Sequence, residues 1–172
     1  FRRVLFRSKH GVQLVRGTAR FVSPHELTVS TVEGEAVVRA ETILIAAGTV
    51  PLVPPAFGYD GRSVITSNEA LRLTELPRRM AIIGGGVIGC EFASIYHALG
   101  VEVQVVEMLP GLLPLLEAEI GRMLAFSFKK RGIKVFTGQK VEELAKGQGE
   151  ASIRLSSGEI LTAEQVLVAI GR

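Results

Sequence analysis

The chain has 172 residues, 47% of them hydrophobic and 22% charged, a composition that supports a packed core and excludes a disordered polypeptide. The net charge of +3 comes from residues 1–9, which hold four basic residues and no acidic one, whereas the remainder has sixteen basic and seventeen acidic residues. A basic face for nucleic acid is therefore not expected. No apolar run approaches the ~20 residues that span a bilayer, so we predict a soluble, cytoplasmic protein without a membrane segment.

Residues 1–9, "FRRVLFRSK", form an anomalous basic tip. An Arg-rich start without acids is typical of a transit peptide, but no initiator Met precedes it. We interpret the tip as an assembly scar or as the edge of a truncated chain.

The cysteine and histidine content argues against a metal site. Cys90 is the single cysteine, which excludes a disulfide within the chain and a multi-thiol metal site. His10, His25 and His97 stand far apart in the sequence, without a second ligand at the spacing of metal sites. We interpret Cys90 as a packing residue rather than a redox centre, because it lies where a small apolar side chain packs a helix against a sheet.

Residues 10–57 show short strand-like patterns bounded by Gly, Pro or Ser. The run "TILIAAG", at 42–48, is continuously apolar, which predicts a strand covered on both faces as in a parallel sheet. Three prolines follow within a few residues and exclude regular structure there. They indicate a connection between two domains.

Residues 58–76 are interpreted as a connection that contains one short helix. Thr66 and Glu69 stand at capping-box spacing and predict the start of this helix. The helix is predicted to run through Leu76, because Pro77 excludes a further helical turn.

A second domain is predicted over residues 77–172. Strand "MAIIG", a helix, strand "VEVQVVE", a helix over 117–131 and strand "IKVFTG" come in that order, followed by three short strands and a final strand "QVLVAIG". This order predicts an α/β fold, with a Rossmann-like parallel sheet, helices on its faces and a three-stranded β-meander. The first helix is predicted to bury one face, made of Ile88, Phe92, Ile95 and Leu99.

A glycine motif, Gly84-x-Gly86-x-x-Gly89, lies between the first strand and the first helix of that domain. In this context the first glycine permits a tight turn, the second lets backbone approach a pyrophosphate, and the third lets helix and strand pack closely. Phosphate charge would lie against the unpaired N–H groups of the helix N-terminus. A purely structural glycine turn is the alternative, although it requires no acid on the next strand. The motif predicts a dinucleotide site.

Glu107 closes the second strand, at the ~20-residue offset expected for the acceptor of the ribose hydroxyls. A 2′-phosphate beside this carboxylate would meet a repulsion of roughly 4 kcal/mol at ~4 Å and an effective dielectric constant of about 20. The following "MLPGLLPLL" offers no cation, so NAD is favoured over NADP. Glu91, early in the helix, is either a solvated partner of the helix dipole or, as we predict, a residue that positions the nicotinamide end.

Three segments together resemble a known family. "GGGVIGCEFASIYHALGVEVQVVEMLPGLLP", the closing "LVAIGR" and the earlier "ILIAAGTVP" are similar to the flavoenzymes of the class I pyridine nucleotide-disulfide oxidoreductase family. The resemblance runs from about Val12 to Arg172. It implies a FAD domain interrupted by an NAD domain, so that residues 10–57 would end the first FAD-binding segment and residues 77–172 would bind NAD.

The resemblance also implies site residues. Glu107 would hold the adenosine ribose, Val141 would border the adenine, and Gly171 would lie near the nicotinamide. The full NAD set is Gly84, Gly85, Gly86, Val87, Ile88, Gly89, Glu91, Glu107, Val141 and Gly171. The FAD set, mainly backbone contacts, is Ala19, Ala47, Gly48 and Thr49.

Several features of the family have no counterpart in this sequence: the redox cysteine pair, the first FAD glycine motif and the C-terminal His-Glu pair. We therefore expect an internal fragment that has no catalytic residues of its own and is inactive alone. The resemblance implies a homodimeric parent that passes electrons from a dihydrolipoamide-bearing protein through its disulfide and FAD to NAD. The alternatives are an NADH-dependent reductase of mercuric ion or coenzyme A disulfide in the same family, and a stand-alone nucleotide-binding module.

Overall fold

The structure, a computed structural model, describes residues 10–172. The basic tip, residues 1–9, lies outside the described residues, and its interpretation stays a prediction. The chain divides into two compact units, one that ends at Gly48 and one that covers Thr49–Arg172. Each unit has its own sheet structure and is described separately.

The first unit is a three-stranded antiparallel sheet in the order β1-β2-β3. Tight turns join its strands, and most of its described side chains are exposed. Val29, on the central strand, is the one hydrophobic side chain of residues 10–48 that is fully buried. The strands are β1 (Thr18–Ser23), β2 (Glu26–Thr31) and β3 (Gly34–Arg39).

The prediction of a buried strand at residues 42–48 is wrong. The structure has no strand there, and the side chains of Leu44 and Ile45 are 89% and 71% exposed. A parallel strand requires neighbours that pair with its backbone and layers that cover both faces. Within residues 10–48 no strand pairs with this segment, so its apolar pattern is not completed.

The second unit confirms the predicted α/β architecture. Its five-stranded sheet has the order β4-β11-β5-β6-β7, and every neighbouring pair is parallel. A three-stranded antiparallel meander, in the order β10-β9-β8, adds a second layer. The strands are β4 (Val64–Ile65), β5 (Arg79–Ile83), β6 (Glu102–Glu107), β7 (Lys134–Thr137), β8 (Val141–Lys146), β9 (Ala151–Leu155), β10 (Ile160–Ala163) and β11 (Gln165–Val168). The helices are α1 (Ser67–Ala70), α2 (Val87–Ala98) and α3 (Ala118–Arg131).

The parallel sheet separates two hydrophobic cores. Alternate residues of β5 point to opposite faces, as period-two strand geometry requires. Met80 and Ile82 pack among residues of α2 and α3, whereas Ala81 and Ile83 pack among residues of the meander. The sheet is therefore covered by helices on one face and by the meander on the other.

The helix α1 is shorter than the sequence predicted. The capping box is present, because the Thr66 N–H donates to the Glu69 carboxylate at 2.9 Å and the Thr66 hydroxyl accepts from the Asn68 N–H. The helix nevertheless ends at Ala70 rather than Leu76, and Leu71 is 77% exposed. After Ala70 only Leu73 packs against the core and the other residues up to Leu76 are exposed, so a longer helix would bury little additional apolar surface.

The buried face of α2 also differs from the prediction. Ile95 and Leu99 are half exposed, although Phe92 is buried as predicted. Small residues at Gly89 and Ala93, four positions apart, face the sheet and let the helix approach it closely. The buried residues of the helix are Gly89, Cys90, Phe92, Ala93 and Tyr96.

The segment 49–76 belongs structurally to the second unit. It contributes the edge strand β4, and Val53 and Phe57 pack against the core of the meander. Asp60 accepts hydrogen bonds from three backbone N–H groups just before β4 and pairs with Lys146 of β8 at 2.8 Å. The division into compact units therefore falls at Gly48. The assignment of residues 10–57 to a FAD-binding segment, 58–76 to a connection and 77–172 to an NAD-binding domain stays a prediction.

Candidate functional site

Two glycines of the motif are required by the protein itself. Gly84 has φ +113°, and a Cβ on it would lie 2.4 Å from the carbonyl oxygen of Ala169, which follows β11. A Cβ on Gly89 would lie 1.9 Å from the Gly84 carbonyl oxygen. Gly84 thus permits the tight turn after β5, and Gly89 permits the close approach of α2 to that turn, as the sequence predicted.

Gly86, the N-cap of α2, has no such explanation. Its φ of −74° suits any residue, and a Cβ added there would have no heavy atom within 4 Å. Among residues 10–172, no protein acceptor pairs with the backbone N–H groups of Gly86, Val87, Ile88 or Gly89. Open space before four unpaired donors at a helix N-terminus fits an anionic group such as a pyrophosphate.

Gly85, between these glycines, is held by Glu107. The Gly85 N–H donates to Glu107 Oε2 at 2.6 Å, and the Leu109 N–H donates to Glu107 Oε1 at 2.8 Å. Glu107 ends β6 and is only 7% exposed. Its carboxylate therefore lies at the mouth of the turn, where the sequence placed it, and each of its oxygens already accepts one hydrogen bond.

The loop after β6 folds back onto the turn. The Leu113 N–H donates to the Gly85 carbonyl oxygen at 2.8 Å, and Leu112 is buried beneath Gly85. This loop and α3 border a groove of about 660 Å³ whose lining includes Arg122. No cation follows Glu107 directly in the sequence, but the fold brings Arg122 beside the same loop.

The other predicted NAD residues have differing surroundings. Val87 and Glu91 are exposed at the start of α2, and Ile88 is half buried. Val141 begins β8 and is buried in the meander core. Gly171 has φ +142°, and its carbonyl oxygen accepts from the Leu52 N–H at 2.9 Å. Their contacts with a nucleotide stay predictions.

The predicted FAD residues lie mostly in the first unit. Ala19 is exposed on β1, opposite Val29 of β2. Ala47 and Gly48 are the last two residues of the mostly exposed segment 42–48, and Thr49 begins the second unit. The role of these four residues in FAD binding stays a prediction.

Cys90 is buried beside the turn, as the packing interpretation requires. Its Sγ donates to the Gly85 carbonyl oxygen at 3.3 Å. Burial raises the pKa of the thiol to about 11, and the negative charge of Glu107 contributes in the same direction. The thiol is therefore protonated at neutral pH and is a donor to the turn rather than a nucleophile.

Three residues that pack or bond against the turn were not predicted from the sequence. They are Leu112 and Leu113, in the loop after β6, and Gly121, in α3. A Cβ on Gly121 would lie 2.2 Å from the Leu112 carbonyl oxygen, so this glycine admits the loop against the helix. No motif spacing connects these residues to the turn, and only the positive φ of Leu113, +52°, marks the loop as unusual.

Residues 10–172 contain no cluster of three or more His, Cys, Asp or Glu residues that could hold a metal ion. The same described part of the chain has no helix with the length and hydropathy of a membrane span. The dinucleotide-type turn is thus the site with the clearest chemical definition.

Comparison with curated proteins gives close relatives. The chain is 34% identical over 165 residues to a dihydrolipoyl dehydrogenase of Bacillus subtilis, a match that covers 95% of this chain and 36% of that protein. It is 43% identical over 135 residues to a second B. subtilis dihydrolipoyl dehydrogenase, covering 76% and 28% of the two chains. The chain therefore spans little more than a third of the length of these relatives.

Solved structures of two other proteins share the fold of this chain. LpdA from Mycobacterium tuberculosis superposes with a TM-score of 0.81 and 26% identity, covering 98% of this chain and 38% of that chain. RclA, a HOCl-induced flavoprotein disulfide reductase from Escherichia coli, superposes with a TM-score of 0.78 and 28% identity, covering 99% and 40%.

A family model agrees with these relatives. Residues 2–172 match the model described as pyridine nucleotide-disulphide oxidoreductase. Enzymes of this group, dihydrolipoyl dehydrogenases among them, use FAD and NAD(H). On these matches, the chain belongs to the pyridine nucleotide-disulphide oxidoreductase family.

Proposed function

We propose that this chain binds NAD at the turn between β5 and α2. The observation that carries the proposal is the space at Gly86, which no protein atom explains, in front of four unpaired N–H groups. The positive end of the α2 dipole and these donors would hold the pyrophosphate. Glu107, with one hydrogen bond accepted by each oxygen, has lone pairs left to accept from the ribose hydroxyls.

The carboxylate of Glu107 would also favour NAD over NADP. It is buried and adjacent to the place where a 2′-phosphate would lie, so the repulsion would be weakly screened. Glu91 is proposed to act at the nicotinamide end, because it is exposed on the first turns of α2 and forms no ion pair among residues 10–172.

In the full-length protein this site would receive hydride from reduced flavin onto NAD. The proposed parent is a dihydrolipoyl dehydrogenase, an activity supported by relatives at 34–43% identity. It would oxidise a dihydrolipoamide-bearing protein, act as a homodimer and work in the cytoplasm. The chain alone is expected to be inactive, because a single cysteine cannot form the redox disulfide.

A second candidate is an NADH-dependent reductase, in which the NAD site would deliver hydride to flavin instead. The structural similarity to RclA, a flavoprotein disulfide reductase, favours this candidate. The NAD site proposed above would be the same in both cases, and the direction of electron flow would depend on the flavin and the disulfide.

Titration of the chain with NAD, NADP and FAD tests the proposal. We expect weak NAD binding, weaker NADP binding and almost no FAD binding, because the NAD elements are contiguous in the second unit. Gly86→Ala should abolish NAD binding while the protein stays folded, since a methyl group there meets ligand but no protein atom. The control is Gly111→Ala, where an added Cβ also has no neighbour within 4 Å. NAD binding by folded Gly86→Ala as tight as by the wild type would reject the site.

A further inference from the structure

The loop after β6 is wedged between two glycines from different elements. A Cβ on Gly85 would lie 2.6 Å from Leu112 Cδ2, so the leucine side chain rests directly on this glycine. On the other side, a Cβ on Gly121 would lie 2.2 Å from the Leu112 carbonyl oxygen. Leu112 is 3% exposed and has little room to move. The position of α3 therefore determines the position of Leu112.

The neighbouring residue carries backbone strain. Leu113 has φ +52°, a left-handed conformation that non-glycine residues adopt at a cost. In this conformation its N–H donates to the Gly85 carbonyl oxygen at 2.8 Å. Strain of this kind persists where the surrounding structure fixes it, and here the packed Leu112 does so.

The hydrogen bond from Leu113 sets the direction of a group that faces the proposed ligand. The Gly85 carbonyl and the Gly86 N–H belong to one planar trans peptide, so they point in opposite directions. With Leu113 and Cys90 both donating to the carbonyl, the Gly86 N–H points to the other side, where no protein acceptor pairs with it. Glu107 fixes the preceding peptide through the Gly85 N–H.

We propose that Gly121 is a positioning residue for the dinucleotide site. It acts through the Leu112 carbonyl and the Leu113 N–H on the Gly85–Gly86 peptide. The inference rests on the proposed NAD site and extends it to a residue of α3, 32 positions beyond Gly89 in the numbering of the chain. A glycine that only permits helix packing would affect stability, whereas a positioning glycine also affects the orientation of the Gly86 N–H.

The test compares three glycine variants of the complete chain. Gly121→Ala should push the Leu112 carbonyl away by about 1 Å, judged from the 2.2 Å approach and ordinary contact distances. The expected result is an NAD dissociation constant raised about tenfold, the equivalent of one weakened hydrogen bond to a charged group. Gly111→Ala, in the same loop but with open space around it, should stay within about twofold of the wild type.

Gly132→Ala is the control for stability. Gly132 follows the same helix with φ +96°, so alanine there strains the backbone without touching Leu112. It should lower thermal stability and leave the NAD dissociation constant unchanged at temperatures where the protein is folded. Equal losses of affinity in Gly121→Ala and Gly132→Ala would overturn the proposal, because affinity would then follow stability alone.

A second readout needs no ligand. In ¹H–¹⁵N spectra, the Gly86 amide resonance should move in Gly121→Ala and stay in place in Gly111→Ala. An unmoved resonance, or NAD affinity within twofold of the wild type, would reject the positioning role.

If the wild-type chain does not bind NAD, the proposed function fails, but a moved Gly86 resonance would still support the link from Gly121. If Gly121→Ala does not fold, Leu112→Ala, which removes the side chain resting on Gly85, should move the same resonance, and its failure to do so would reject the link.

Discussion

Two segments of this protein carry nearly the same apolar pattern and have opposite structures. "MAII" at 80–83 and "ILIAA" at 43–47 are both predicted as strands of a parallel sheet. The first is the central strand β5, paired on both sides, with side chains at most 6% exposed. The second forms no strand, and its Leu44 and Ile45 are largely exposed.

The difference shows that the pattern defines which residues can be buried, and that neighbours decide whether they are. β5 has two flanking strands, helices on one face and the meander on the other. Residues 42–48 have no pairing strand within the first unit. A parallel strand pairs with segments that are distant in the sequence. The same apolar pattern therefore forms a strand only where the neighbouring strands and covering layers are present.

Matched alanine substitutions test this comparison directly. Ile82→Ala removes a fully buried side chain of β5 and should lower the free energy of unfolding by about 2–5 kcal/mol. Ile45→Ala, the same change at an exposed position, should stay within about 0.5 kcal/mol of the wild type. Urea unfolding followed by circular dichroism gives both values. A similar loss of unfolding free energy in the two variants would mean that residues 42–48 are packed in solution, and it would contradict the difference between the two segments.

Glu107 shows that a polar side chain, too, can be buried where neighbouring groups satisfy it. Both of its carboxylate oxygens accept hydrogen bonds within the second unit. Glu107→Arg is expected to reverse the preference between NAD and NADP. The binding free energy of NAD should weaken by roughly 3 kcal/mol or more, because its ribose hydroxyls lose two hydrogen bonds to a charged acceptor. NADP binding should strengthen, because the 2′-phosphate is no longer repelled and arginine supplies a bidentate donor. Titration with both cofactors at low and moderate salt measures the ratio.

Two control variants sharpen that experiment. Because Glu107 also holds the Gly85 N–H, Glu107→Gln, which keeps the size and one acceptor oxygen, separates loss of charge from loss of the turn. It should weaken NAD binding and relieve the repulsion of NADP, but without the further gain that the bidentate donor of Glu107→Arg gives to NADP. Arg122→Gln tests whether the cation beside the groove contributes to NADP binding. Unchanged NAD affinity in Glu107→Arg would remove the ribose role from Glu107.

Cys90 offers a chemical measure of how complete the packing is around β5 and α2. Its pKa of about 11 lowers the thiolate fraction at neutral pH by roughly a hundredfold relative to an ordinary cysteine. Alkylation in native buffer should therefore be at least about a hundredfold slower than in denaturant. The rate of loss of free thiol at constant pH is the measurement. Equal rates in both conditions would show that α2 does not cover the thiol.

The smallest effect concerns Asp60 in the segment that joins the second unit. Burial opposes ionisation of this carboxylate, but hydrogen bonds from Lys146, Ser63 and the backbone outweigh it and lower its pKa. A lowered pKa contributes stability above the unfolded-state value of ~3.9, and that contribution is lost as the pH falls. Asp60→Asn should cost about 1 kcal/mol or less at pH 7. The cost should shrink below pH ~4, and a cost that is independent of pH would contradict the ionic explanation.

The turn and Glu107 are predictable from the sequence because both depend on short spacings between one strand, one helix and the next strand. The contact between Gly121 and Leu112 is not predictable in this way, because it depends on how a loop folds back onto a helix, which no periodic pattern encodes. The helical spacing of apolar residues in α2 predicts the burial of Phe92 correctly, but it also predicts the burial of Ile95 and Leu99, which are half exposed. The sheet instead selects small residues such as Gly89 and Ala93, because the helix approaches the backbone of the turn.

The hydrogen bond between the Leu52 N–H and the Gly171 carbonyl has a consequence for how the second unit is linked into a polypeptide. It places the two ends of the unit side by side, at 2.9 Å between nitrogen and oxygen. A unit whose entry and exit points adjoin can be inserted into a host chain with little separation of the residues on either side. The same adjacency makes the unit suitable for circular permutation, with new termini in the exposed turn from Gly147 to Gly149 between β8 and β9.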